Sequence, residues 1–74
     1  MTPELVRILR VTRNMTQADL AKKIGCSGRL IAFIERHERR LTERMANRFM
    51  VAFNLDEKKL QELRMLREAI VFDE

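Results

Sequence analysis

Gly25 constrains this chain more than any other residue. It separates two short stretches that each read as one amphipathic helix, and Ser27 follows it as a helix starter. Upstream, Leu20, Ala21 and Ile24 recur at helical spacing, and downstream Ile31 and Ile34 do the same. Glycine ends a helix in the left-handed conformation that a β-carbon resists, and serine caps the next helix by accepting a backbone N–H. Two short helices joined by Gly25-Cys26-Ser27 have the layout of a helix-turn-helix. Ala21 is small enough for the second helix to cross close to the first, and Ile31 closes the core between them.

The flanking segments are helical by the same criteria. A first helix is expected over Pro3–Thr12, capped by Thr2, with Pro3 at the position where a missing N–H costs nothing. Leu5, Val6 and Leu9 form its inward stripe, and Asn14 is its stop. The second helix spans Gln17–Ile24, with Thr16 as cap and Asp19 completing a capping box. The third begins after Ser27 and reaches about Arg36. The fourth runs from Glu43 to Phe53 behind Thr42, with Ala46, Phe49, Met50 and Phe53 on one face. The fifth starts after Asp56 and continues to about Ile70, with Leu60, Leu63, Leu66 and Ile70 as its stripe. No segment alternates as a strand does. The expectation is an all-α, compact five-helix bundle in which residues 1–74 form a single domain.

Charge divides the chain unevenly. The formal net charge is +4. Residues 1–54 hold eleven Lys/Arg against five Asp/Glu, whereas residues 55–74 hold four against six. A polyanion is therefore expected on the first part. The single cysteine, Cys26, forbids an internal disulfide and suits a reducing cytoplasm. One histidine and one cysteine do not make a metal site, and no nucleophile–base pair suggests an enzyme. No cofactor is expected. Charges interrupt every apolar run long before membrane-spanning length, so neither a membrane partner nor a signal peptide is expected, and the reading is cytoplasmic.

The combination Thr16-Gln17, Leu20-Ala21, Gly25, Ser27, Ile31 and Ile34-Glu35 resembles the lambda repressor and Cro group, the Xre-type helix-turn-helix regulators, over roughly residues 5–60. That resemblance implies a lambda-repressor-like five-helix domain that binds double-stranded DNA as a homodimer on a two-fold operator. It implies an ion pair between Arg10 and Glu35, tying the first helix to the third. It also implies that Gln17 faces DNA, with Gly28, Arg29, Ala32 and Phe33 along the recognition helix. This chain departs from the group at His37, where glycine is usual, and at Leu41, where proline is often found. Histidine tolerates the left-handed backbone better than most residues, so the turn survives with some strain.

Each position has a plainer alternative. Arg29, in the first turn of the recognition helix, can donate two bonds to guanine, or it can hold a phosphate. Phe33 points to DNA, where it can pack on a thymine methyl, or it belongs to the core of a slightly rotated helix. Leu30 shares that ambiguity, with more weight toward the core. Gln17, Arg36, Arg39, Arg40 and Arg44 are the phosphate candidates, which set register without reading sequence. Glu38 interrupts that basic run. Cys26, near a helix start, is either an activated thiol or a small apolar filler.

The last helix and tail carry more apolar surface than one stripe can hide. Met65, Ala69, Ile70, Val71 and Phe72 are therefore assigned to dimerisation, the plainer alternative being that the tail folds back over the chain's own core. The expected function is a DNA-binding transcription regulator, a repressor of bacterial, phage or mobile-element origin. The alternative is a protein-interaction module, antitoxin-like, whose tail binds a regulatory protein partner.

Overall fold

Five short polar side chains start the five helices of the computed structural model. The structure describes the backbone of residues 1–71 and the side chains of residues 1–66. The helices are α1 (Pro3–Thr12), α2 (Gln17–Ile24), α3 (Gly28–Glu35), α4 (Glu43–Ala52) and α5 (Glu57–Val71). Thr2, Ser27 and Thr42 each accept the backbone N–H three residues ahead, at 3.1–3.3 Å. Asp56 does the same for Lys59 at 2.8 Å. Thr16 and Asp19 form the reciprocal box, each accepting the other's backbone N–H at 3.0 Å. Each cap satisfies an N–H that the helix itself cannot.

The helix ends share a second device. Asn14, Gly25, His37 and Asn54 all have positive φ, from 52° to 89°. After each of them the chain turns back, and the next residue donates its N–H to a carbonyl five positions upstream. The four bonds run from Met15 to Arg10, Cys26 to Ala21, Glu38 to Phe33 and Leu55 to Met50. This is the left-handed helix stop, and only one of the four uses glycine. His37 therefore replaces glycine in the turn after α3 as expected. The stop at Asn54 is an addition to the sequence reading.

The core gathers Leu5, Val6, Ile8 and Leu9 of α1 with Leu20, Ala21 and Ile24 of α2. Ile31 and Ile34, Phe49, Phe53, Leu60 and Leu63 complete it. α2 packs on α3 and α4, and α1 on α3 and α5. Because α1 is covered from two sides, its buried face is wide enough to include Ile8, which a single narrow stripe omits.

Three expectations need correction. Leu66 is 43 % exposed and lies outside the core. The reason is angular: three residues advance a helix by about 300°, so two successive steps of three turn Leu66 about 120° away from Leu60. Ala46 and Met50 are only half-buried. α4 ends at Ala52, with Phe53 as its buried cap residue. The side chain of Ile70 lies outside the described residues.

Candidate nucleic-acid interface

The tight α2–turn–α3 unit is the scaffold of the site. Ala21 is buried in the crossing, and Gly25 at φ 89° turns the chain from one helix to the next. Ser27 then fixes the start of α3. Ile31 and Ile34 are fully buried, so the opposite side of α3 faces outward. Along that side Arg29 is exposed, and Gly28, Ala32 and Phe33 are half-buried. Leu30 is half-buried as well. The backbone of Gly28 faces Ala18 of α2, and a β-carbon built there lies 3.6 Å from the Ala18 α-carbon, an ordinary contact.

A polar network holds α3 against α1. Arg10 donates from Nε to Glu35 Oε2 at 2.7 Å and from Nη2 to Oε1 at 3.0 Å. Its Nη1 donates to the Met15 carbonyl at 3.1 Å. The two side chains are 18 % and 6 % exposed, so this is a partly buried, bidentate pair. The Arg10–Glu35 pair expected from the sequence is thus present. Gln17 joins it, donating from Nε2 to Glu35 Oε1 at 3.3 Å. One amide hydrogen of Gln17 is committed to Glu35, and its carbonyl oxygen and second hydrogen stay available at the start of α2. Sequence reasoning placed Gln17 at the site but missed this anchor, because residues 17 and 35 become neighbours only through the α2–α3 crossing.

Phe33 lies outside the buried core, and the Arg36 guanidinium sits 5.3 Å above its ring. Arg36 in turn pairs with Glu38 through Nε–Oε2 at 2.6 Å. The turn at His37 makes this possible: the N–H groups of Glu38 and Arg39 both donate to the Phe33 carbonyl, folding the loop back on α3. Arg39, Arg40 and Arg44 are exposed nearby in sequence, in the loop and at the start of α4. The structure therefore leaves Arg29, Arg39, Arg40 and Arg44 outward-facing, ties Gln17 to Glu35 and ties Arg36 to Glu38.

Cys26 is half-buried, and burial pushes its thiol up, against a smaller opposing pull from Arg48. A raised thiol favours the protonated form, which matches a packing residue rather than an activated one. Asp19 is held below its ordinary value by hydrogen bonds from the Thr16 backbone and side chain. Elsewhere, Arg13 and Lys23 lie 5.2 Å from the Phe53 ring, so two cations cover an aromatic at the end of α4. No group of His, Cys, Asp and Glu able to hold a metal exists among the described residues. No described helix is long and apolar enough to cross a membrane. Of the residues assigned to dimerisation, Met65 is strongly exposed. The side chains of Ala69, Ile70, Val71 and Phe72 lie outside the described residues.

The family described as a helix-turn-helix domain matches residues 4–63. The chain belongs to this family of Xre/Cro-like helix-turn-helix DNA-binding domains, and its fold is lambda-repressor-like. No curated protein and no solved structure matches the chain.

Proposed function

We propose that this chain is a sequence-specific regulator of transcription, a repressor of bacterial, phage or mobile-element origin that binds a palindromic operator as a homodimer in the cytoplasm. The observation that carries the reading is α3 itself: buried on one side through Ile31 and Ile34, it turns Arg29 outward beside a basic loop. In this reading α3 enters the major groove, with Arg29 reading a base and Gly28, Ala32 and Phe33 lying along the groove floor. Gln17, Arg36, Arg39, Arg40 and Arg44 hold phosphates on either side. The whole chain acts as one DNA-binding unit, and repression follows from occupying the operator.

Size argues for two copies. One copy measures 28 Å along its longest axis, and successive major-groove faces are about 34 Å apart. Reading two half-sites therefore takes two molecules, with the tail residues from Met65 to Phe72 supplying the contact between them.

Selection of bound duplexes from a random DNA library tests the reading. The expected result is a two-fold symmetric motif whose half-sites are one helical turn apart. Recovery of no motif, with binding that does not respond to salt, would overturn it in favour of a protein-interaction module.

A further inference from the structure

Glu35 accepts from donors on two other helices. Arg10 of α1 holds it through Nε and Nη2, and Gln17 of α2 donates from Nε2 to Oε1 at 3.3 Å. The carboxylate has lone pairs for all of them. Charge balance needs only Arg10, so the bond from Gln17 is additional to the ion pair. Among the described residues Gln17 makes no other side-chain hydrogen bond.

The same guanidinium reaches the main chain that leads into α2. Arg10 Nη1 donates to the carbonyl of Met15, which directly precedes the cap Thr16, at 3.1 Å. Backbone and side chain at the start of α2 are thus held from one point. A carboxylate paired with a guanidinium only accepts, so it selects the nitrogen end of the Gln17 amide. The second N–H of that amide is left to donate. Beside it, the capping box uses the N–H groups of Thr16 and Asp19. Those of Gln17 and Ala18, in the first turn, have no carbonyl upstream to bond. The start of α2 therefore gathers donors for an anion, and the one on the Gln17 side chain is the one that has to be held in place.

A loose glutamine side chain must be ordered before it holds a phosphate, and that ordering lowers affinity by about threefold to tenfold. We propose that Glu35 is a positioning residue for DNA binding: it holds the Gln17 amide, before DNA arrives, in the orientation that donates to a phosphate. This rests on the assignment of Gln17 to a phosphate made above.

Duplex binding by variants tests it, each measured well below its melting temperature. Gln17→Met should weaken binding to operator and random duplex alike, by about tenfold. Arg10→Met with Glu35→Gln removes the ion pair but keeps a side-chain oxygen for Gln17 to donate to. Arg10→Met with Glu35→Leu removes both. The first double variant should bind DNA about threefold to tenfold more tightly than the second, and adding Gln17→Met to each should abolish the difference. A purely structural Glu35 gives no such dependence on Gln17. In the wild-type protein without DNA, NMR relaxation should show the Gln17 side-chain amide as ordered as the α2 backbone. Equal binding by the two double variants, or a difference that survives Gln17→Met, overturns the positioning role and leaves Gln17 on a phosphate. So does a freely rotating Gln17 amide, a result that needs no variant to be folded. Wild-type affinity in Gln17→Met takes Gln17 off the phosphates and this inference with it. A wild-type chain that does not bind duplex overturns the regulator reading itself, and with it the inference.

Discussion

Arg10 and Glu35, 25 residues apart, form a partly buried ion pair, and Gln17 shares it. The pair links the helix that builds the core to the helix proposed to read DNA. Burial makes it asymmetric in consequence. Removing one partner leaves the other charge without compensation, at about 3–5 kcal/mol, whereas replacing both by apolar residues of similar size is often neutral. Arg10→Ala is expected to destabilise the fold by about 3 kcal/mol, read by urea denaturation. Arg10→Met with Glu35→Leu should recover most of that loss. If the double variant is as unstable as the single, the pair contributes through geometry that apolar packing cannot replace.

The two glycines should respond oppositely to alanine. Gly25 sits at φ 89° with no atom within 4 Å of a built β-carbon, so the conflict there is purely backbone. Gly25→Ala should cost about 1–2 kcal/mol. Gly28 has an ordinary helical neighbourhood with room for a methyl. Gly28→Ala should be neutral, or stabilising by about 0.4–1 kcal/mol through the unfolded chain. Thermal melts distinguish the two. A melt lowered by Gly28→Ala would show that the start of α3 tolerates no extra carbon.

Most of the fold was legible because its signals are local. Each helix start is a hydroxyl or carboxylate acting three residues ahead, so Thr2, Thr16, Ser27, Thr42 and Asp56 mark themselves. Gly25 and Asn14 mark helix ends in the same way. What escaped was set by tertiary neighbours or by small angular errors. Ile8 is buried because α1 is covered by both α3 and α5, and Leu66 is exposed because its spacing drifts off the buried face. At the site, the Arg10–Glu35 contact was reachable through a family resemblance. The ties of Gln17 to Glu35 and of Arg36 to Phe33 and Glu38 depend on how loops fold, which no local pattern states. Val51 of α4 is two positions from both Phe49 and the cap residue Phe53, off their buried face, and it is exposed for that reason.

Arg29→Ala is expected to lower specificity more than general affinity. A bidentate arginine–guanine contact gives about 1–3 kcal/mol of discrimination between bases. Affinity for the selected operator should fall by that amount, and affinity for random duplex should barely change. Equal losses on both would move Arg29 to the phosphates.

Asp19 makes the stability of α2 acid-sensitive. Its carboxyl is held below the ordinary value of 3.8 by the Thr16 backbone and side chain. A group depressed in the folded state stabilises that state above its unfolded pKa, and the contribution is lost as pH falls through the folded value. The wild type should therefore exceed Asp19→Ala in stability at neutral pH, and the gap should narrow from about pH 4 downward. Denaturant titrations of both proteins across that range check the sign. A gap that widens toward acid would contradict it.

Glu38 should restrain DNA binding. Its carboxylate holds the Arg36 guanidinium at 2.6 Å, with both side chains more than half exposed. An exposed pair of this kind contributes only about 0–1 kcal/mol to stability, so Glu38→Gln should leave the fold unchanged. Binding is a different matter. If Arg36 is a phosphate contact, it must exchange Glu38 for phosphate, and the carboxylate left behind repels the polyanion. Glu38→Gln removes both costs. Affinity should rise by similar factors for operator and random duplex, because phosphate contacts carry no sequence information. The dependence of log K on log salt should change little, because Arg36 neutralises the same phosphate in both proteins. In an Arg36→Ala background the change to glutamine should lose most of its effect, since no guanidinium remains to release. Wild-type affinity in Glu38→Gln would take Arg36 away from the DNA and leave it as the cover of Phe33.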